Sequence, residues 1–414
     1  MTTKSKTRQY LVPQYMKDFQ CIGAACEDSC CIGWRVNIDE STYKKYVKVR
    51  DEHLTPIIDK HVTRNRSNPT PGSYAKIRMG AKGACPFLSE EKLCGIQAKL
   101  GEEYLSNTCS QYPRINNAVN GELERSATTS CPEIARLVLL NPNGIEFEQH
   151  EEEATSHNIA IKSLQADSPA HVHKAQHYFW DLRIMSIQLL QNRSYRLHDR
   201  LTMLGMFLGR VQGCVDRHQS HQIPKVIEEY TAIVDQGLLR EELDKIPTQI
   251  AVQLLLAKGI LDQRFPHGVN SDRYLKQITK FLFGLAYTKE STVDELKERY
   301  TEGYEKYYAP FMDAHEYMLE NYLVNYVYKN LFPFSEKEVH ESYTMLVIHY
   351  AMIKLMLIGI ARHHKGLNEE LVVELIQSFS RTIEHSSAYL AKVHQALKDN
   401  ELTSMAYMAI LIKN

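Results

Sequence analysis

Residues 345–361, MLVIHYAMIKLMLIGIA, form the longest apolar stretch of the chain. A membrane-spanning helix needs about 20 consecutive residues that are almost free of charge. This stretch is shorter and contains His349, Tyr350 and Lys354. Because a helix that is apolar on all sides is normally buried, the stretch predicts the central helix of a helical bundle.

Amphipathic helical patterns flank this stretch on both sides, with apolar residues recurring every three or four positions. No fixed-period repeat is present, and strands do not alternate with helices, which argues against a doubly wound dinucleotide-binding fold. The predicted helices cover residues 178–189, 197–215, 225–235, 250–260, 271–285, 293–308, 312–328, 336–364 and 369–397.

The first part of the chain shows shorter elements. Asn120-Gly121 lies between two alternating segments and predicts a β-hairpin, because both central residues of a type I′ turn need positive φ. Apolar and polar residues alternate over 34–39, as they do in a half-buried strand. Pro132 lies at the start of a predicted helix that ends near residue 140. The acidic segment 149–156 marks the predicted boundary. We therefore expect a mainly α protein with a cysteine-rich domain of short strands and loops around a metal cluster at residues 1–148, followed by a large helical bundle domain at 149–414.

Charge and composition exclude several functional classes. The chain has 49 Lys+Arg against 50 Asp+Glu, a formal net charge of -1, which argues against a general nucleic-acid binder. Hydrophobic residues make up 43% of the chain, enough for a sizeable core. No apolar segment follows the basic, polar residues 1–9, so no secretory signal is predicted. We expect a cytoplasmic protein with no membrane partner.

Cysteine is the unusual residue of this sequence. A reducing cytoplasm favours metal ligation over disulfides, and thiolates select zinc, copper(I) and iron–sulfur clusters. Structural zinc sites usually have two closely spaced pairs of cysteines, and this sequence has only one such pair. Single cysteines that are spaced along the chain suit a four-iron cluster somewhat better. An iron–sulfur cluster is therefore favoured, with zinc and disulfides or free thiols as alternatives. Cys214 lies in an apolar helical pattern and is predicted to be a core thiol. The candidate metal ligands are Cys21, Cys26, Cys30, Cys31, Cys85, Cys94, Cys109 and Cys131.

Two local patterns refine this hypothesis. Cys26 and Cys30 begin the Cys-x₃-Cys-x₂-Cys motif of radical S-adenosylmethionine enzymes, but position 33 is glycine, so the motif is incomplete. Cys85 and Cys131 each precede a proline, as does the last cysteine of the bacterial ferredoxin motif.

Four segments carry a resemblance to a known family: FQCIGAACEDSCCIGW at 19–34, CPFL at 85–88, CSQYPR at 109–114 and ENYLVNYVYKNLFPF at 320–334. Together they resemble flagellin lysine N-methylases over most of the chain. The first part is also similar, more weakly, to cysteine-rich proteins that chelate zinc or iron. The family resemblance implies methyl transfer from S-adenosylmethionine to lysine side chains of flagellin, and a 4Fe–4S cluster in the N-terminal part.

The motif context and the Cys-Pro pairs favour Cys85, Cys94, Cys109 and Cys131 as cluster ligands, with Cys26 or Cys30 as a replacement for one of them. The cluster is either structural or, through an open iron, binds the methyl donor. The sequence shows no Gly-rich strand-to-helix turn of the kind that usually holds a nucleotide-like donor.

Methyl transfer needs a neutral amine, although free lysine has a pKa of about 10.4. Tyr322 and Tyr326 share one helical face and are candidate catalytic residues, with Glu320 on the same helix. Packing of an aromatic stripe is the structural alternative. Arg35 and Arg114 are candidates to bind the donor carboxylate, unless they are surface or structural arginines. A non-enzymatic zinc- or iron-binding redox sensor or interaction module remains the alternative function.

Overall fold

The structure, a computed structural model, describes residues 7–153, 160–262, 271–288 and 290–414. The chain divides into two compact units whose segments alternate along the sequence. Unit 1 consists of Met1–Ala118, Glu122–Ile134 and Phe147–Ser163, and unit 2 of Val119–Gly121, Ala135–Glu146 and Leu164–Asn414.

The strands are short, as the sequence predicts. They form a five-stranded sheet of order β7-β1-β6-β5-β8 and a three-stranded sheet of order β2-β4-β3. β1 runs parallel to β6 and antiparallel to β7. The strands are β1 Thr7–Pro13, β2 Asn37–Ile38, β3 Val62–Arg64, β4 Ala75–Ile77, β5 Arg114–Val119, β6 Glu122–Ala127, β7 Phe147–Glu153 and β8 Lys162–Leu164.

The predicted hairpin is confirmed. β5 and β6 are neighbours in the sheet, and the turn residues Asn120 and Gly121 have φ angles of 52° and 86°. The strand predicted over 34–39 is shorter than expected, because only Asn37–Ile38 pairs with β4.

The mainly helical fold is confirmed. The helices are α1 Glu40–Tyr46, α2 Leu54–His61, α3 Gly95–Leu100, α4 Asn107–Gln111, α5 Pro132–Leu139, α6 Phe179–Gln191, α7 Leu197–Asp216, α8 Ile223–Asp235, α9 Arg240–Asp244, α10 Ile250–Asp262, α11 Asp272–Gly284, α12 Val293–Gly303, α13 Ala309–His315, α14 Tyr317–Lys329, α15 Val339–His364, α16 Glu369–Phe379, α17 Ser387–Asp399 and α18 Met405–Ile412.

Helix α15 is the core of unit 2, and it contains the apolar stretch 345–361. Among the described residues it is the one helix that is long and apolar enough to cross a membrane, but its most apolar window is 100% buried inside the fold. Helices α11 and α15 cross at two glycines. A Cβ placed on Gly284 would lie 1.8 Å from the carbonyl oxygen of Gly359, so this crossing has no room for a side chain.

Two π-helical turns interrupt long helices that the sequence predicts as continuous. Tyr304–Tyr308 follows α12, and Ser380–Glu384 follows α16. A π turn closes i→i+5 hydrogen bonds and therefore holds about one residue more than an α turn, and such turns frequently occur at functional sites. The predicted helix over 369–397 is thus divided into α16, a π turn and α17.

Acid should destabilise the protein through a buried histidine in α7. Burial and the charges of Lys354 and Lys413 lower the pKa of His198 to about 2. The unfolded chain binds a proton at this residue below about pH 6.5, whereas the folded chain does not, so the free energy of unfolding falls by at most about 1.4 kcal/mol per pH unit as pH decreases below 6.5. We expect His198→Gln to flatten this decline in urea unfolding between pH 7.5 and 5.5. An unchanged slope would contradict the assignment.

Candidate functional site

The two predicted catalytic tyrosines lie in α14 and are both buried, with 1% exposure for Tyr322 and 7% for Tyr326. The hydroxyl of Tyr322 donates a hydrogen bond to Oε1 of Glu384 at 2.7 Å. Glu384 ends the π turn that follows α16. The aromatic face predicted from the sequence therefore meets a carboxylate that is distant in the chain.

Glu384 has two further donors. Lys329, the last residue of α14, donates from Nζ to Oε2, and Ser380 donates from Oγ to Oε1 at 2.9 Å. The ammonium of Lys329 also lies 5.8 Å from the ring centroid of Tyr326. We call Tyr322, Tyr326, Lys329, Ser380 and Glu384 the Glu384 cluster.

The charge state of this cluster follows from its contacts. Burial by itself raises the pKa of Glu384, but the positive charge of Lys329 and the hydrogen bonds lower it well below the usual range for a glutamic acid. Burial and the neighbouring Glu384 carboxylate raise the pKa of Tyr322 well above 10. At neutral pH the cluster therefore holds an ionised carboxylate and a protonated tyrosine that donates to it.

His349 of α15 borders the same cluster. Its ring centroid lies 5.1 Å from that of Tyr326 and 5.8 Å from that of Phe379. Its Nδ1 is 2.6 Å from the carbonyl oxygen of Met345, and because a carbonyl only accepts, Nδ1 carries the proton. Nε2 is buried and has no hydrogen-bond partner among the described residues.

Glu320, the third predicted catalytic residue, belongs to a different network. Its carboxylate is 1% exposed and accepts from Arg193 at 2.8 and 3.0 Å and from Arg200 at 2.7 Å. Arg200 also pairs with Glu316 at 2.9 Å. The structure therefore places Glu320 in a hydrogen-bond network different from that of Tyr322, where it anchors the start of α14. Its catalytic role stays a prediction.

We expect Glu320→Gln to lower stability and to leave turnover per folded molecule intact. The amide keeps one acceptor but loses the charge that two arginines require, and a lost hydrogen bond to a charged group costs roughly 2 kcal/mol. Urea unfolding and an activity assay corrected for the folded fraction measure the two effects separately. Loss of turnover at unchanged stability would restore Glu320 as a catalytic candidate.

Unit 1 brings predicted metal ligands together through its backbone. Segments 31–33 and 83–85 run alongside each other: the amide of Gly33 donates to the carbonyl of Gly83 at 3.0 Å, and the amide of Cys85 to the carbonyl of Cys31 at 2.8 Å. Cys94 caps α3, and its neighbour Gly95 donates to Phe87 at 2.7 Å. Cys31, Cys85, Cys94 and Cys109 all contact one hydrophobic core.

The electrostatic interactions of the thiols define two groups, which are linked to each other through Cys26 and Cys30. Cys85 and Cys109 each interact with Cys94 and Cys30. We call these four the thiol quartet. Burial raises the pKa of both Cys85 and Cys109 to about 12. Tyr46 lies beside the quartet and interacts with three of its members.

The second group contains Cys131, which interacts with Cys26 and Cys21. The side chain of Cys26 also interacts with Cys30. Cys31 packs against the hydrophobic core of unit 1. Within the part of the chain that the structure describes, no three His, Cys, Asp or Glu side chains are arranged to hold a single metal ion, so the predicted metal cluster stays a prediction.

The two arginines proposed for the methyl donor both lie in unit 1. Arg35 is exposed. Arg114 is half-buried, with its guanidinium 5.1 Å from the ring centroid of Phe19, and burial together with the nearby charge of Arg125 lowers its pKa. Their role as donor ligands stays a prediction.

Sequence reasoning missed Glu384, Lys329 and His349 as members of one site. Lys329 lies within the quoted segment 320–334 and His349 within the apolar stretch, where a polar residue in a buried helix is the available signal. Glu384 has no such local signal.

Comparisons with known proteins agree with the segments quoted above. A family model described as "FliB lysine N-methylase C-terminal domain" matches residues 183–411. Two proteins named "Lysine-N-methylase", from Salmonella choleraesuis (strain SC-B67) and Salmonella typhimurium (strain LT2), are 26% and 25% identical over 402 residues, which cover 93% of this chain and 94% of each relative. "Flagellar biosynthetic protein FliU" of Salmonella muenchen is 34% identical over 133 residues, 32% of this chain and 78% of that protein. No solved structure matches.

Proposed function

Because the chain belongs to the FliB lysine N-methylase family, we propose that it transfers methyl groups from S-adenosylmethionine to lysine side chains of flagellin, with a 4Fe–4S cluster in unit 1. The name of the FliU relative supports a flagellar substrate. We propose the cytoplasm as the compartment, because it keeps thiols reduced and free to bind iron.

The Glu384 cluster is the observation that carries the proposed activity. It lies inside the region that matches the family model, and it combines an ionised carboxylate, a tyrosine hydroxyl and a tyrosine ring. A carboxylate and an aromatic face are the groups that attract an ammonium or a sulfonium cation. The resident ammonium of Lys329, bound to Glu384 and over Tyr326, occupies the kind of position that a substrate amine would take.

The methyl donor supplies an electrophilic methyl on a positively charged sulfur. Glu384 attracts and orients the substrate ammonium, and Tyr322 and Ser380 fix the carboxylate by donating to Oε1. The buried surroundings favour the neutral form of the amine, because burial disfavours a charge, and the proton that the ammonium loses is finally released to solvent. The amine lone pair then displaces the sulfur in line with the breaking bond.

The thiol quartet fits the proposed cluster. A cubane presents an iron at each of four corners, so its four thiolates lie farther apart than the ligands of one ion. Cys85 and Cys109 each interact electrostatically with Cys94 and Cys30, and Cys85 also interacts with Cys109. A cluster held by these thiols would crosslink loops that have little regular structure, close to Tyr46. When iron binds, the raised pKa values of the thiols must be overcome, since the thiolate is the ligand.

A product analysis tests this proposal. Anaerobically purified protein, S-adenosylmethionine and flagellin are expected to give one S-adenosylhomocysteine per methyl-lysine, with or without dithionite, because the radical motif is incomplete at Gly33. Mass spectrometry of the nucleoside products and of flagellin peptides gives both numbers. Formation of 5′-deoxyadenosine coupled to methylation and dependent on reductant would contradict the polar displacement. Absence of methyl-lysine would contradict the function.

A further inference from the structure

His349 is a buried base whose Nε2 lone pair has no hydrogen-bond partner in the described part of the chain. It is 1% exposed, and it lies in the middle of α15, where apolar side chains surround it. Its Nδ1–H is committed to the carbonyl of Met345 at 2.6 Å, which fixes the tautomer and leaves Nε2 as an acceptor. A buried acceptor without a donor is unfavourable by roughly 1–3 kcal/mol, so a structural histidine would normally use both nitrogens.

The surroundings of His349 match what a substrate amine requires. Two basic side chains lie near the Tyr326 ring: its centroid is 5.1 Å from the imidazole centroid and 5.8 Å from Nζ of Lys329. The charges of Glu384 and Lys329 both act on the imidazole. An amine held by Glu384 over this ring would therefore share with the imidazole the surroundings of Tyr326 and Glu384. The π turn contributes a second uncommitted group, the buried hydroxyl of Thr382, which also has no partner among the described residues.

The site has an outer and an inner end. The side chain of Glu384 is 9% exposed, and the exposed residue His385 follows it, whereas Ser380 and His349 are buried. A long, unbranched lysine side chain that enters at Glu384 would extend its amine inward, toward His349.

We propose that Nε2 of His349 accepts the proton that the substrate lysine must lose before methyl transfer, an inference that rests on the proposed methyltransferase function. The proton passes from the ammonium to Nε2, the amine nitrogen forms the new N–CH₃ bond, and the S–CH₃ bond breaks with its electron pair remaining on sulfur. The sulfonium becomes a neutral thioether, the product leaves as a protonated methyl-lysine side chain, and the imidazolium returns its proton to solvent. One proton is released for each methyl transferred.

Charged groups around the ring support this role. Burial lowers the pKa of His349, the Glu384 carboxylate of the π turn opposes this shift, and the ammonium of Lys329 at the end of α14 reinforces it. Tyr326 from α14 and Phe379 from α16 present rings to it. The imidazole is therefore neutral and able to accept a proton over the physiological range, while Glu384 stabilises the imidazolium that forms.

His349→Asn is the test variant, because the asparagine amide can still donate to Met345 but cannot accept a proton. At saturating flagellin and donor, we expect kcat at pH 7 to fall by roughly 100-fold to 10,000-fold. The ratio of kcat between the unchanged protein and the variant should decrease toward pH 10, because free lysine begins to lose its own proton there. The matched control is His394→Asn in α17, which also has a buried Nε2 without a partner but interacts with Glu341 instead of Glu384. It should retain the unaltered rate and pH profile.

The unchanged protein provides a second measurement that does not depend on the folding of a variant. Its kcat should be nearly constant from pH 7 to 9, because an internal base has already taken over deprotonation. A tenfold rise per pH unit in this range would overturn the proposal, since it would mean that solvent hydroxide deprotonates the amine. Unchanged kcat in His349→Asn at pH 7, or a loss by the same factor at every pH, would overturn it as well. If the unchanged protein forms no methyl-lysine at all, the proposed function itself fails.

Discussion

Replacing Glu384 by glutamine is expected to abolish lysine methylation and to lower the free energy of unfolding by about 3–5 kcal/mol, the usual consequence of leaving one member of a buried ion pair alone. Glutamine removes the charge that pairs with Lys329, whose side chain is 5% exposed, and it weakens the acceptor that Tyr322 and Ser380 share. Methyl-lysine formation and urea unfolding of the same preparation measure the two effects.

A double variant separates the two effects. In Glu384→Gln/Lys329→Met neither member of the pair is charged, so stability should largely return, because replacing both partners of a buried pair is often neutral or stabilising. Activity should not return, since the carboxylate that binds the amine is still missing. Recovery of both would reduce the cluster to a structural contact.

The matched control for this experiment is Glu374→Gln. Glu374 lies in the preceding helix α16 and also pairs with a lysine, Lys280, at 3.1 Å, but both side chains are 25% exposed. We expect a change in stability of at most about 1 kcal/mol and unchanged activity, because a solvated pair contributes little.

Replacing Cys85 by serine is expected to remove most of the bound iron and the broad visible absorption that a 4Fe–4S cluster would give. Cys85 is 9% exposed and is held in place by the backbone hydrogen bond from its amide to Cys31, so no neighbouring residue can easily take over its role. Unit 1 should then unfold at lower temperature, because metal binding contributes directly to folding where loops are crosslinked by the metal. Iron analysis, the visible spectrum and thermal unfolding provide the measurements.

Variants of two other cysteines test whether the loss of iron is specific to the thiol quartet. Cys214 is buried in α7 at 2% exposure, outside both thiol groups, and Cys214→Ser should keep its iron. Cys131→Ser should also keep most of it, because Cys131 interacts with Cys21 and Cys26 instead of the quartet. If Cys131→Ser lost iron and Cys30→Ser did not, the ligand set favoured by the sequence would be the better one.

The parts of the fold that local chemistry determines could be predicted. The hairpin at Asn120-Gly121 depends on two residues that tolerate positive φ, and α15 on a run of apolar residues long enough to require burial on all sides. The thiol quartet depends on contacts across the chain. The proline after Cys131 is visible in the sequence, whereas the backbone pairing of segments 31–33 and 83–85, which brings Cys30 close to Cys85, is not.

The candidate site could be predicted only in part, because its tyrosines are close together in the sequence and its carboxylate is distant. Tyr322 and Tyr326 are four residues apart, so helix geometry places them on one face. Glu384 lies 62 residues from Tyr322 in the chain and is the last residue of a π turn, which is too short to show a periodicity in the sequence. Sequence patterns over such a short segment do not distinguish the α from the π geometry.

The π turn at Ser380–Glu384 also has a consequence for evolution, because the insertion or deletion of one residue can create or destroy this site. A turn with one residue too many is what a single inserted codon leaves in an α-helix, and each residue of a regular helix rotates the next by about 100°. Deletion of Thr382 would therefore regularise the helix and swing Glu384 away from Lys329, although no other side chain had changed. Among relatives, the length of this segment should thus be a better marker of a working site than the identity of any one residue in it.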